Sequence, residues 1–151
     1  RLNLYVLSGI TEGELVGHVF SFFVAGHDTT ATTAAFAFYE LSKNKEIQDK
    51  LWQEVAGAAK ENEGLTYEAV KNIPYLNHVI QETMRMYPIL GILKRVCTRP
   101  YKLEDFEIPL GMEVIIPVRS LHYDPRYFEE PRKFKPERFA DGKPPEIYMP
   151  F

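Results

Sequence analysis

The chain has 151 residues, with a hydrophobic share of 45% and a charged share of 26%, which together suit one globular domain with a core of its own. A formal net charge of -3 offers no electrostatic footprint for nucleic acid. The one cysteine, Cys97, excludes an internal disulfide and makes a reducing compartment the default.

No signal or targeting segment opens the chain. Arg1 stands first, Ser8-Gly9 reads as a turn, and Pro150-Phe151 closes an apolar stretch without a stop signal. Both ends read as truncations of something longer. Proline divides the rest: all 11 lie from Pro74 onward. The first half can therefore hold long helices. The second half is expected to hold short strands, turns and irregular segments, because proline disrupts helix interiors.

Thr11-Glu12-Gly13-Glu14 has the form of a capping box. The helix it starts can run from about Glu12 to about Ser42, roughly 45 Å at the usual rise per residue. Ile47, Leu51 and Val55 mark an amphipathic second helix with Glu46, Asp49, Lys50 and Glu54 facing outward. Thr66-Tyr67-Glu68-Ala69 begins a short third helix. Leu76, Val79, Ile80, Thr83, Met84 and Tyr87 step at three and four, so a fourth helix ends at Pro88. Ile92 to Val96, Tyr101 to Leu103 and Glu113 to Pro117 read as strands. Pro125, Pro131 and Pro136 punctuate an irregular remainder. The fold class is mainly α with a small β component.

The first helix carries an unusual centre, FSFFVAGHDTTATT over residues 20–33. Projected at 100° per residue, His18, Ser21, Ala25, Asp28, Thr29 and Thr32 share about one third of the surface, with Gly26 beside them. A membrane span is disfavoured, because an aspartate near a bilayer centre costs about 2.5–3.5 kcal/mol. A buried helix with a small-residue crossing point and a satisfied Asp28 fits the pattern. So does a groove at Ala25 and Gly26 where a flat group meets the backbone, with Asp28 and Thr29 supplying a carboxylate and a hydroxyl for proton movement.

On the fourth helix, Glu82 and Arg85 stand at i and i+3 opposite the apolar stripe. That spacing alone favours a solvated surface pair worth about 0–1 kcal/mol. His78 lies one turn before Glu82, so a carboxylate–histidine metal site is a rival, although a full ligand set needs more groups. Cys97 reads as a small buried hydrophobe and not as a nucleophile, since no histidine stands near it in sequence.

Taken together, three stretches resemble the cytochrome P450 family of haem-thiolate monooxygenases. Ala25-Gly26-His27-Asp28-Thr29-Thr30 resembles its oxygen-activation motif, Glu82-Thr83-Met84-Arg85 its E-x-x-R motif and Pro136-Glu137-Arg138-Phe139 its P-E-R-F motif. Their order and separations are specific together. Leu121-His122-Tyr123-Asp124-Pro125 is similar to animal microsomal members, especially arthropod forms that oxidise foreign compounds.

The resemblance implies that residues 1–151 are part of the family's domain, cut before the loop that bears the haem-ligating cysteine; no metal ligand is assigned here, and Cys97 does not take that role. It implies haem against Ala25 and Gly26, Thr29 hydrogen-bonded to bound oxygen, and Asp28 relaying protons. Arg95 would pair with a haem propionate. Phe22, Phe23, Val24, Ile89, Leu90, Gly91 and Ile92 would line a pocket for a lipophilic substrate. Glu82, Arg85 and Arg138 would form a buried network, against what the spacing alone favours. His27 departs from the aromatic or apolar residue usual at its position. The implied parent takes electrons from NADPH through a flavoprotein reductase. It uses dioxygen on a xenobiotic or lipid-like substrate, at the cytoplasmic face of the endoplasmic reticulum membrane. A non-enzymatic helical interaction module is the other rival.

Overall fold

The computed structural model describes residues 9–142 and 145–150. Arg1 and Phe151, read above as cut ends, lie outside them. Helix α1 spans Glu12–Lys43. Its capping box is complete: Thr11 Oγ1 accepts the Glu14 amide at 3.3 Å, and the Glu14 carboxylate accepts the Thr11 amide at 2.8 Å. The helix stops at Asn44, whose amide and side-chain Nδ2 both donate to the Glu40 carbonyl, at 3.1 and 2.8 Å. Helix α2 (Lys45–Glu61) follows directly. Helix α3 (Tyr67–Lys71) is capped by Thr66, which accepts the Ala69 amide at 3.2 Å.

Helix α4 (Pro74–Met86) begins on a proline, which suits a first turn because its missing N–H would be unpaired there anyway. Ile73 supplies no side-chain cap. Glu54 on α2 does so instead, accepting the Tyr75 amide at 3.2 Å, where a carboxylate also complements the helix dipole. This corrects the outward placement of Glu54. Glu46, Asp49 and Lys50 are exposed as the pattern requires.

Strands β1 (Leu93–Val96) and β4 (Glu113–Ile116) pair antiparallel, as do β2 (Tyr101–Leu103) and β3 (Phe106–Ile108). Two further elements contradict the expectation that proline confines the second half to strands and irregular chain. Helix α5 covers Val118–His122, and a 3-10 turn covers Pro136–Phe139. Pro117 and Pro136 stand at the starts of these elements, where proline initiates and does not interrupt.

The core gathers Leu41, Tyr75, Val79, Met86 and Phe134, with Ile47, Leu51, Tyr87 and Tyr123 packed round it. Helix α1 joins it only by its C-terminal third; Phe20, Phe22 and Phe23 nearer its start are exposed. Among the described residues no helix is long and apolar enough to cross a membrane.

Glu40 fastens α1 to α4. Its carboxylate is buried and accepts the Tyr87 hydroxyl, Lys43 Nζ at 3.4 Å and Asn44 Nδ2 at 3.3 Å. Tyr87 also stacks on Phe36 with ring centres 4.1 Å apart. Burial, and then the bond to Glu40, push the Tyr87 phenol well above its ordinary pKa, so it remains a donor. Tyr87→Phe keeps the stack and removes one donor from a buried charge. It is expected to cost about 1.5–3 kcal/mol, the range for hydrogen bonds to charged groups. The urea unfolding midpoint of the full-length protein measures this, and an unshifted midpoint would mean that Glu40 needs no help from Tyr87.

Candidate functional site

Three groups of side chains answer to the sequence motifs. The first lies on α1. Thr29 Oγ1 donates to the Ala25 carbonyl at 2.6 Å, one turn back. Its hydrogen is therefore committed to backbone, and its oxygen is left as an acceptor. Thr33 repeats the pattern, donating to the Thr29 carbonyl at 2.9 Å. Asp28 is exposed and pairs with His27 Nδ1 at 3.0 Å, while the His27 ring stacks on Phe23 at 5.4 Å. At Gly26 an added Cβ would meet nothing within 4 Å, so the backbone between Ala25 and Thr29 is open to an approaching group. Thr29 also borders a groove of about 330 Å³ whose far wall is Ile80 and Met84 of α4.

The second group is buried. Glu82 and Arg85 have no exposed surface. Arg85 grips the carboxylate with both prongs of its guanidinium, Nε to Oε2 at 2.7 Å and Nη2 to Oε1 at 2.9 Å. Its Nη1 donates to the His122 carbonyl at 2.8 Å. Arg138, from the 3-10 turn, reaches the same carboxylate through Nε at 3.1 Å and donates Nη1 to the Glu129 carbonyl at 3.0 Å. The Lys135 amide completes the ring, donating to Glu82 Oε1 at 2.8 Å. The spacing reading of a solvated pair is thus overturned. Phe128 lies over the Arg85 guanidinium, its ring centre 5.2 Å away, and one chain segment more than fifty residues downstream of Glu82 brings donors that local spacing does not show.

With four N–H groups on one carboxylate, Glu82 is satisfied as an ion and not available as a ligand alongside His78, whose ring packs edge-on to Tyr75 at 6.2 Å. Among the described residues no three His, Cys, Asp or Glu side chains gather as a metal site. Glu137, beside Arg138, ties the turn to two helices by accepting the Tyr75 hydroxyl at 2.8 Å and Lys50 Nζ at 2.9 Å. Burial opposes its charge, and those two donors outweigh burial, so its carboxyl sits below the ordinary value.

The third group is spread out. Arg95 on β1 is exposed, with Nη1 on the Lys94 carbonyl at 2.8 Å. Cys97 follows β1, half-buried, and its thiol donates to the Arg99 carbonyl at 2.8 Å. Ile89 borders a groove of about 560 Å³ with Thr32, Phe36, Tyr87 and Arg119. Phe23 borders another, along α1 with Leu15 and Phe20. Leu90 and Ile92 are exposed. The groove beside Ile89 takes Phe36 from α1 but not Phe22, Phe23 or Val24, and the groove beside Phe23 takes none of residues 89–92.

A family model described as cytochrome P450 matches residues 4–151. The chain belongs to the cytochrome P450 family. Among its relatives, probable cytochrome P450 6a23 of Drosophila melanogaster is 41% identical over 150 residues, covering 95% of this chain and 30% of that protein. Cytochrome P450 6B2 of Helicoverpa armigera is 42% identical over 149 residues, covering 94% of this chain and 30% of that protein. Cytochrome P450 3A19 of Capra hircus aegagrus is 38% identical over 144 residues, with shares of 93% and 66%. The chain spans about 30% of the length of the insect P450s it matches. A helix-rich chain with two small antiparallel sheets fits a part of the P450 fold.

Sequence reasoning passed over two polar groups that organise this P450 chain. Glu40 stands in an apolar run, Phe38-Tyr39-Glu40-Leu41, and that placement was its only signal. His122 left none, because its partners come from α4 and from residue 149.

Proposed function

We propose that the full-length protein is a haem-dependent monooxygenase that places one oxygen atom from dioxygen into a lipophilic substrate. The observation that carries this reading is the turn from Ala25 to Thr29, an open backbone with a hydroxyl and a carboxylate beside it, in a chain of this family. A Cβ added at Gly26 would meet nothing within 4 Å, so no neighbouring side chain covers the backbone at that point. Arg95, exposed, has guanidinium N–H groups to offer a propionate. These residues fit haem. When bound, haem supplies the activation of dioxygen, favoured by a cysteine thiolate on its iron.

The chain's own residues then have distinct tasks. Ala25 and Gly26 admit the ring face. Thr29, with its hydrogen on the Ala25 carbonyl, presents an oxygen that accepts a hydrogen bond and so orients a protonated group beside it. Asp28, exposed and next to His27, exchanges protons with solvent and passes them toward that position. Phe22, Phe23, Val24, Ile89, Leu90, Gly91 and Ile92 give the substrate an apolar environment. Electrons come from NADPH through a flavoprotein reductase, at the cytoplasmic face of the endoplasmic reticulum. The substrate is a xenobiotic or an endogenous lipid-like molecule.

Thr29→Ala in the full-length protein should leave haem bound and misdirect the oxygen. Product formed per NADPH consumed is expected to fall at least about tenfold, within the usual contribution of a positioned proton-transfer group, with peroxide making up the difference. An unchanged ratio at full haem content would remove Thr29 from the mechanism.

A further inference from the structure

His122 is fully buried at the end of α5, and none of the tasks above uses it. Both its ring nitrogens are engaged. Nδ1 lies 3.0 Å from the backbone carbonyl of Arg85, which can only accept, so Nδ1 carries the hydrogen. Nε2 lies 3.0 Å from the backbone amide of Met149, which can only donate, so Nε2 is bare. The partners thus select one neutral tautomer. The ring stacks on Tyr148 at 5.5 Å and meets the edge of Phe128 at 5.9 Å.

Adding a proton at Nε2 would set two N–H donors against each other with no acceptor between them. It would also place a second cation beside the Arg85 guanidinium, whose Nη1 already holds the His122 carbonyl at 2.8 Å. The 145–150 segment has one other described side-chain tie to α4, Tyr148 hydroxyl to the Gln81 carbonyl at 3.0 Å. We propose that His122 is a proton-sensitive latch: its neutral ring splices the 145–150 segment to α4, and its protonation releases that segment while Glu82 and Arg85 keep α4 in place.

The charged and titratable groups round the ring are few. Arg85 faces it from α4, with Glu82 neutralising that charge and Arg138 and the Lys135 amide behind. Tyr148 faces it from the 145–150 segment, its phenol pushed above the ordinary value by burial. Arg119, on His122's own helix, lies outward over Tyr123. Burial depresses the His122 pKa; the Arg85 carbonyl opposes this, and the Arg85 charge adds to it. A histidine whose folded pKa is depressed is fully neutral above its ordinary value of about 6.5. The latch is therefore closed above that pH and weakens as pH falls below it.

Hydrogen exchange on the full-length protein tests this without reference to haem absorbance or turnover, so its outcome is independent of the reading in the preceding subsection. Protection of the 145–150 segment, corrected for intrinsic exchange, is compared at about pH 7.5 and pH 5.5 for wild type, His122→Gln and His122→Phe. Glutamine keeps one donor and one acceptor but does not titrate. In wild type, protection of 145–150 should fall severalfold, up to about tenfold, at the lower pH while the peptide containing Val79 is unchanged. His122→Gln should show no such fall, and His122→Phe should be poorly protected at both. Equal losses in wild type and His122→Gln, or no loss in wild type, would overturn the proposal. If His122→Phe does not fold, that pairwise comparison decides alone.

Discussion

Arg85→Lys is expected to destabilise the full-length protein by about 3–5 kcal/mol, the range for breaking a buried ion pair. Lysine keeps the charge and loses the fork. Arg85 now makes two bonds to Glu82, one to the His122 carbonyl and a longer one, 3.4 Å, to the Lys133 carbonyl. A single ammonium on a flexible stem cannot reach all of these from the same depth. Glu82 would remain with Arg138 and the Lys135 amide, buried and short of donors. The loss is a large part of a typical total of about 5–15 kcal/mol, so holoprotein yield should fall with it. Urea unfolding and haem content of wild type and variant are the measurements. A loss under about 1 kcal/mol is what a solvated pair would give, and would contradict the burial described here.

Phe139→Ala should be comparably severe. Phe139 is 2% exposed and packs its ring 5.0 Å from that of Tyr148, directly after Arg138 in the 3-10 turn. Truncating a buried phenylalanine costs about 3–5 kcal/mol, part of it from the cavity left behind. Two consequences separate this from a general loss of fold. Phe139→Leu should recover most of the stability, with a residual cost under about 1.5 kcal/mol if the neighbours repack. The double variant with Arg85→Lys should also fall short of the sum of the two, since Arg138 and Tyr148 connect both sites. Unfolding midpoints of wild type, the three single variants and the double variant test this, and a Phe139→Ala cost below about 1 kcal/mol would show that the turn is not anchored by its ring.

The parts of the fold that were legible are those whose cause is local. The Thr11 capping box starts α1 where the pattern places it, and Pro88 ends α4 one residue past its cap. Three of the four strands follow from their β-branched and aromatic runs. The 3-residue β3, Phe106–Ile108, was passed over because it is so short; it pairs with β2 across a tight turn at Glu104, whose φ is +50°. Helix α5 was hidden because its sequence, Val118 to His122, is short and framed by prolines. The candidate site divides in the same way. The hydroxyl and carboxylate of Thr29 and Asp28 are visible in the motif itself. The burial of Glu82 is not visible in the spacing, because the Arg138 guanidinium and the Lys135 amide that satisfy it come from more than fifty residues away; only the resemblance of the motifs implied that network.

The most direct test of the central claim is the absorption spectrum of the full-length protein, reduced and exposed to carbon monoxide, taken beside its haem content. If the Ala25–Thr29 face serves a thiolate-ligated haem, the protein should contain stoichiometric haem and give the red-shifted Soret band of thiolate ligation. A folded protein that binds no haem, or binds it without that band, would contradict the account.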